Sequence, residues 1–172
     1  MTDYFAYGAN MVREAMAVRC PGARLIGPAV LPHHRFAIIR GGHGTVLPCR
    51  GGCVHGVLWQ LGRGAAASLD RYEEIEAGLY RRERRMVWHA GRQRPVLIYV
   101  ATATAPGVPR VAYIEAIVAA ARGWEFPADY VASLDTIANT SAGVRPTARS
   151  ARKVSERSRL ARRRPPASVS TG

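Results

Sequence analysis

Four carboxylates crowd seven positions of this 172-residue chain, within Leu69-Asp70-Arg71-Tyr72-Glu73-Glu74-Ile75-Glu76-Ala77-Gly78-Leu79-Tyr80. Residues 63–72 read as a short helix and residues 80–89 as a strand, so the acids fall where a helix ends. A carboxylate there faces the negative end of the helix dipole and several like charges, and both favour its neutral form. Such a group can take and return a proton near neutral pH. The same pattern also describes an exposed acidic loop paired with Arg81, Arg82, Arg84 and Arg85.

The second segment with chemical potential is Tyr4-Phe5-Ala6-Tyr7-Gly8-Ala9-Asn10. Its aromatic run has strand character, and residues 11–19 read as a helix with Asn10 as N-cap. A glycine between strand and helix lets the backbone bend sharply and lets a ligand approach its amides. Amides at such a turn attract an anion such as a carboxylate. A buried edge strand closed by a Gly-Asn turn would carry the same letters.

Other groupings are weaker. Cys49-x-x-x-Cys53-x-His55, with His43 upstream, lacks a second matched ligand pair, so no metal or other cofactor is expected, and its Gly-rich setting reads as a loop between strands. A Cys–His nucleophile would want a third group to orient the imidazole, and the sequence offers none. Gly41-Gly42-His43-Gly44 lacks the lysine and following helix of a phosphate loop. His33-His34 read as solvent-facing, and Trp59, Trp88 and Trp124 as packing residues.

The elements that must position these residues are short. Strand candidates are 4–7, 23–31, 35–40, 54–61, 80–89 and 95–101, punctuated by Gly41-Gly42-His43-Gly44 and Gly51-Gly52. Residues 110–122 form the clearest amphipathic helix, and 127–137 a second. There is no long βαβ alternation, which argues against a doubly wound parallel sheet. The expected class is α+β, a small mixed or antiparallel β-barrel with flanking helices.

Charge is unevenly spread. The chain carries a formal +13, and residues 144–172 hold nine basic side chains against one acid, Glu156. That segment has almost no large apolar residues, so it is expected to be a disordered arginine-rich tail behind a folded domain of residues 1–143. Nucleic acid could be bound only through that tail, and without interleaved aromatics the tail reads more simply as a solvated extension. No apolar stretch approaches the ~20 residues of a membrane span, and no signal peptide is expected. Three cysteines are too few for a disulfide scaffold and suit a reducing cytoplasm.

Taken together, the two segments resemble the γ-glutamylcyclotransferase family, the AIG2-like superfamily. Tyr-Phe-Ala-Tyr-Gly-Ala-Asn-Met near the N-terminus is similar to that family's Tyr-Gly-Ser-Asn signature. Leu69-Asp70-Arg71-Tyr72-Glu73, followed by Gly78-Leu79-Tyr80, is similar to its Leu-Asp-x-x-Glu-Gly and Gly-x-Tyr pattern, and Gly56-Val57-Leu58-Trp59 to the strand before it. The resemblance covers roughly residues 3–137. It implies a barrel with a cavity, a small γ-glutamyl amide as substrate, 5-oxoproline as product, and no cofactor. It implies Glu73 as general acid/base, with Tyr4, Phe5, Ala6, Tyr7, Gly8 and Ala9 holding the γ-glutamyl group largely through the backbone, and Tyr113 in contact with it. A catalytically silent member of the fold, binding a small ligand or a protein, is the alternative.

Two positions depart from the family pattern. Its serine is Ala9 here, which leaves the backbone to serve alone. The glycine after its glutamate is Glu74 here, which adds a charge beside Glu73 and is strained by about 1 kcal/mol if the position needs positive φ. On sequence, either Glu73 or Glu74 could face the cavity.

Overall fold

A computed structural model describes residues 1–142. The arginine-rich tail expected from residue 144 onward lies outside the described residues. The elements are β1 (Thr2–Ala6), a short 3-10 turn (Ala9–Met11), α1 (Arg13–Arg19), β2 (Arg24–Ile38), β3 (Gly44–Leu61), α2 (Ala65–Tyr72), β4 (Tyr80–His89), β5 (Arg92–Ala101), α3 (Val111–Gly123) and α4 (Ala128–Ala142). The strands close into a barrel in the order β1-β3-β2-β4-β5. All neighbours are antiparallel except β1 and β5, which meet in parallel at Tyr4 and Leu97 and make the barrel mixed. The fold is therefore the α+β barrel with flanking helices that the sequence implied.

The strands are not all short. The two segments read as 23–31 and 35–40 are one continuous strand, and Gly51-Gly52 lies within β3 rather than ending it. β2 and β3 can run this far because they bend at register shifts, between Leu25 and Gly27 and between Pro32 and His34. β5 begins at Arg92, earlier than expected, because Ala90 and Gly91 both adopt positive φ and make the tight hairpin turn that pairs His89 with Arg92.

The barrel interior and the helix faces against it form one core, including Phe5, Leu58, Leu61, Leu69, Ile98 and Ile117 at 0% exposure. In α3 the buried residues Ile114, Ile117, Val118 and Ala121 follow helical spacing and face that core. Gly56 marks where β1 crosses β3: a Cβ there would sit 2.4 Å from the Ala6 carbonyl oxygen and 2.6 Å from the Phe5 ring. The absence of a side chain lets the N-terminal strand lie flat on the strand carrying Trp59. Among the described residues no helix is long and apolar enough to cross a membrane.

Candidate active site

A cavity of about 180 Å³ opens between the N-terminal turn, the end of α2 and the N-terminal part of α3. Six of the chain's seven tyrosines line it: Tyr4, Tyr7, Tyr72, Tyr80, Tyr99 and Tyr113. Gly8, Ala9, Asn10, His43, Gly44, Glu73, Glu74 and Leu79 complete the wall, and no arginine is among the lining residues.

Glu73 is held there by the way α2 ends. It is the C-cap, and its amide donates to Leu69 O at 2.8 Å. The amides of Ile75 and Glu74 then turn back to the carbonyls of Asp70 (3.1 Å) and Arg71 (3.3 Å). This double bond pattern is the Schellman motif, whose next position normally takes glycine because it needs positive φ. Glu74 occupies that position at φ +51°. The conditional strain raised by the sequence is thus present, and the cap separates the two carboxylates: Glu73 is half-buried in the cavity and Glu74 is exposed at its rim.

The partner of Glu73 is Asn10. Its Nδ2 donates to Glu73 Oε1 at 3.1 Å and to Tyr4 OH at 2.8 Å. Its Oδ1 accepts from Arg19 Nη1. Its backbone carbonyl accepts from Trp59 Nε1 at 3.1 Å. Asn10 is therefore not the N-cap expected from sequence: it is 3% exposed, the chain takes a 3-10 turn around it, and α1 starts only at Arg13 after Val12. Every polar atom of the residue needed to satisfy these buried bonds is turned inward.

The Glu73 carboxyl is pushed up to about 7, chiefly by burial. Arg19 and the Asn10 amide pull it back down. The direction is the one expected from sequence, but the cause is burial rather than crowding by neighbouring carboxylates or the helix end. Arg19 itself lies over the Tyr72 ring, 3.7 Å from its centroid.

Around this centre the hydroxyls form a fixed frame. Tyr80 OH donates to Gly44 O at 2.6 Å, while the Gly44 amide donates to Tyr113 OH at 3.0 Å. The Tyr113 hydroxyl also stands 3.0 Å from where a Cβ of Gly8 would be, so it sits between two residues without side chains. Tyr7 OH donates to Tyr99 O at 2.6 Å, and Tyr99 OH donates to Asp70 Oδ1 at 2.9 Å. Burial pushes the phenols of Tyr4, Tyr7, Tyr80 and Tyr113 upward, so at neutral pH they keep their protons. Burial, with Arg110 nearby, pulls the His43 imidazole down, leaving it uncharged at neutral pH.

Of the residues singled out from sequence, Glu73, Tyr4, Tyr7, Gly8, Ala9 and Tyr113 meet at the cavity. Phe5 and Ala6 do not line it; both are fully buried and packed against β3. Asn10's role, Arg19, His43, Gly44, Tyr80 and Tyr99 were missed. Only Tyr80 had a local signal, since it closes the Gly78-Leu79-Tyr80 run; the others come from distant elements.

Residues 53–134 match the model of the AIG2-like family, a span that contains Glu73 and Tyr113 but not the N-terminal turn. The chain is 30% identical over 87 residues to the γ-glutamylcyclotransferases of Bos taurus and Homo sapiens, covering 45% of this chain. It spans about half the length of these curated relatives, 46% of each. Among solved structures, a γ-glutamyl cyclotransferase superposes with a TM-score of 0.73 at 24% identity, over 78% of this chain and 86% of that one. An uncharacterized Homo sapiens protein superposes with a TM-score of 0.72 at 25% identity over the same shares.

Proposed function

We propose that this chain, whose residues 53–134 match the AIG2-like family model, is a γ-glutamylcyclotransferase-like enzyme that cyclises a γ-glutamyl amide to 5-oxoproline and releases the free amine. The observation that carries this reading is a half-buried Glu73, with a carboxyl value of about 7, inside a tyrosine-lined cavity opposite the N-terminal turn.

A γ-glutamyl amide contains its own nucleophile. Its α-amine attacks the γ-carbonyl, the lactam C–N bond forms and the original amide C–N bond breaks, with no water or metal consumed. The reaction needs a base for the α-ammonium proton and an acid for the leaving nitrogen. Glu73 performs both: it takes the first proton and returns one to the departing amine. A group titrating near 7 is matched to that exchange at neutral pH. The lining favours an ammonium, because its charged groups are the carboxylates of Glu73 and Glu74.

The bend at Tyr7-Gly8-Ala9 supplies the backbone for the other end of the glutamyl group. Ala9 opens the 3-10 turn, so its amide has no carbonyl within the turn to donate to and is available to a carboxylate or the developing oxyanion. Holding the chain bent against Tyr113 and the turn supplies effective molarity, worth ~7–11 kcal/mol in well-oriented systems. The three free cysteines fit a cytoplasmic setting.

The test is release of 5-oxoproline from a panel of γ-glutamyl peptides and γ-glutamyl amines. Turnover that vanishes in Glu73→Gln while ligand binding persists supports the assignment. Binding of the same compounds without any 5-oxoproline would instead identify a silent binding member of the fold.

A further inference from the structure

A thiol–imidazole pair on β3 lies outside the cavity and takes no part in the reaction above. Cys53 Sγ is 3.7 Å from His55 Nε2. The two residues alternate along the strand and share its outer face, while Val54 between them is fully buried. Packing, rather than a third polar group, orients the imidazole: its centroid is 4.8 Å from the Tyr130 ring and 5.5 Å from that of Phe126. Burial also pulls its pKa below 6.5, so at neutral pH the ring is uncharged and Nε2 accepts a proton when Nδ1 carries the ring's own.

A second thiol stands close by. β3 leaves its partner after the pair Pro48–His34 and rejoins it at Cys53–Pro32, so Cys49, Arg50, Gly51 and Gly52 loop out against His33 alone. Gly51, at φ +78°, turns this excursion back. A Cβ on Gly52 would meet Cys49 Sγ at 3.2 Å, which places the Cys49 sulfur beside the residue directly before Cys53. Gly51 and Gly52 lie between the two cysteines and give the excursion the backbone freedom to bring the sulfurs together. Cys53 is exposed, Cys49 is partly buried, and both are free thiols.

We propose that Cys53 is a peroxide-reactive thiol activated by His55, and that Cys49 resolves its oxidised form into a reversible Cys49–Cys53 disulfide. His55 Nε2 takes the Cys53 proton, and the thiolate attacks one oxygen of a hydroperoxide. The O–O bond breaks, Cys53 becomes a sulfenic acid, and the leaving oxygen departs as water or an alcohol with the proton from His55. The Cys49 sulfur then attacks the sulfenic sulfur, the S–S bond forms, the S–O bond breaks, and water leaves with the Cys49 proton. Two thiols give up two electrons and two protons, and one peroxide is reduced.

Arg50 lies between the two cysteines, which gives the experiment its readout. The full-length protein is treated with hydrogen peroxide and digested with trypsin without reduction. The expected result is that peptides 41–50 and 51–63 stay joined and separate only on adding dithiothreitol, while buried Cys20 remains a thiol. Cys49→Ser should stop at a sulfenic acid captured by dimedone. His55→Phe, which keeps a ring against Tyr130, should slow the reaction on the order of tenfold or more; His55→Gln serves if that variant does not fold. Absence of the joined peptides, or wild-type oxidation rates without the imidazole, overturns the proposal.

Discussion

Asn10 Nδ2 lies 3.1 Å from Glu73 Oε1 and 2.8 Å from Tyr4 OH, so one side-chain amide ties the N-terminal turn to the end of α2 across 63 residues of chain. The bond stabilises the ionised carboxylate and opposes the burial that raises it. The basicity of Glu73 is thus a balance between a buried position and two groups brought to it by a different part of the chain, Asn10 and Arg19.

Removing the carboxylate should separate function from stability. Glu73→Gln is expected to lower kcat on the order of 10³-fold in a 5-oxoproline assay. The folded protein holds the Glu73 proton more tightly than the unfolded chain, since about 7 lies above the ordinary 4.5. Its contribution to stability is therefore complete below 4.5 and is lost as pH rises to about 7. The neutral glutamine escapes that loss. Unfolding of the two proteins should coincide near pH 4, and above pH 7 the variant should be the more stable by roughly 3 kcal/mol.

Asn10→Ala tests the balance from the other side. Loss of a hydrogen bond to the charged form moves the Glu73 value further up. The acid limb of the kcat/KM profile should shift to higher pH, leaving the variant weak at pH 7 and partly recovered at pH 8 to 9. An unmoved limb would show that another group titrates in it.

Glu74→Gly should stabilise the fold. Glu74 sits at φ +51° in the glycine position of the Schellman cap, and release of that strain is worth about 1 kcal/mol. The denaturation midpoint is expected to rise, with Glu73 still held as C-cap.

Gly8→Ala and Tyr113→Phe should not act independently. The new methyl of the first variant stands 3.0 Å from the Tyr113 hydroxyl, and the second variant removes that hydroxyl. Each change alone is expected to cost about 1–2 kcal/mol: crowding in one case, an unsatisfied Gly44 amide in the other. A double-mutant cycle should show the pair costing less than the sum of its parts.

Much of the fold was legible because it is written in local patterns. The aromatic run of β1, the stripe Ile114, Ile117, Val118 and Ala121 on α3, and the strand–glycine turn at Gly8 depend only on near neighbours in sequence. The continuity of β2 and β3 was not legible. Gly51-Gly52 and His33 look like strand ends by type, and only the pairing across the hairpin turns them into bulges. Asn10 failed for a related reason: N-cap propensity describes a residue facing solvent, whereas the cavity offered it Tyr4, Glu73, Arg19 and Trp59 as partners.

By itself the sequence determined which residue types were available: the carboxylate at the end of a helix, the bend at Gly8 and the strand-forming runs around them. Only the tertiary structure decided which of two adjacent glutamates turns inward, because that depends on a cap whose hydrogen bonds set Glu74 in left-handed backbone. It also decided why the inward carboxyl is basic. Desolvation is a property of everything packed around a group, and the tyrosines, Asn10 and Arg19 that surround Glu73 come from strands and helices far apart along the chain.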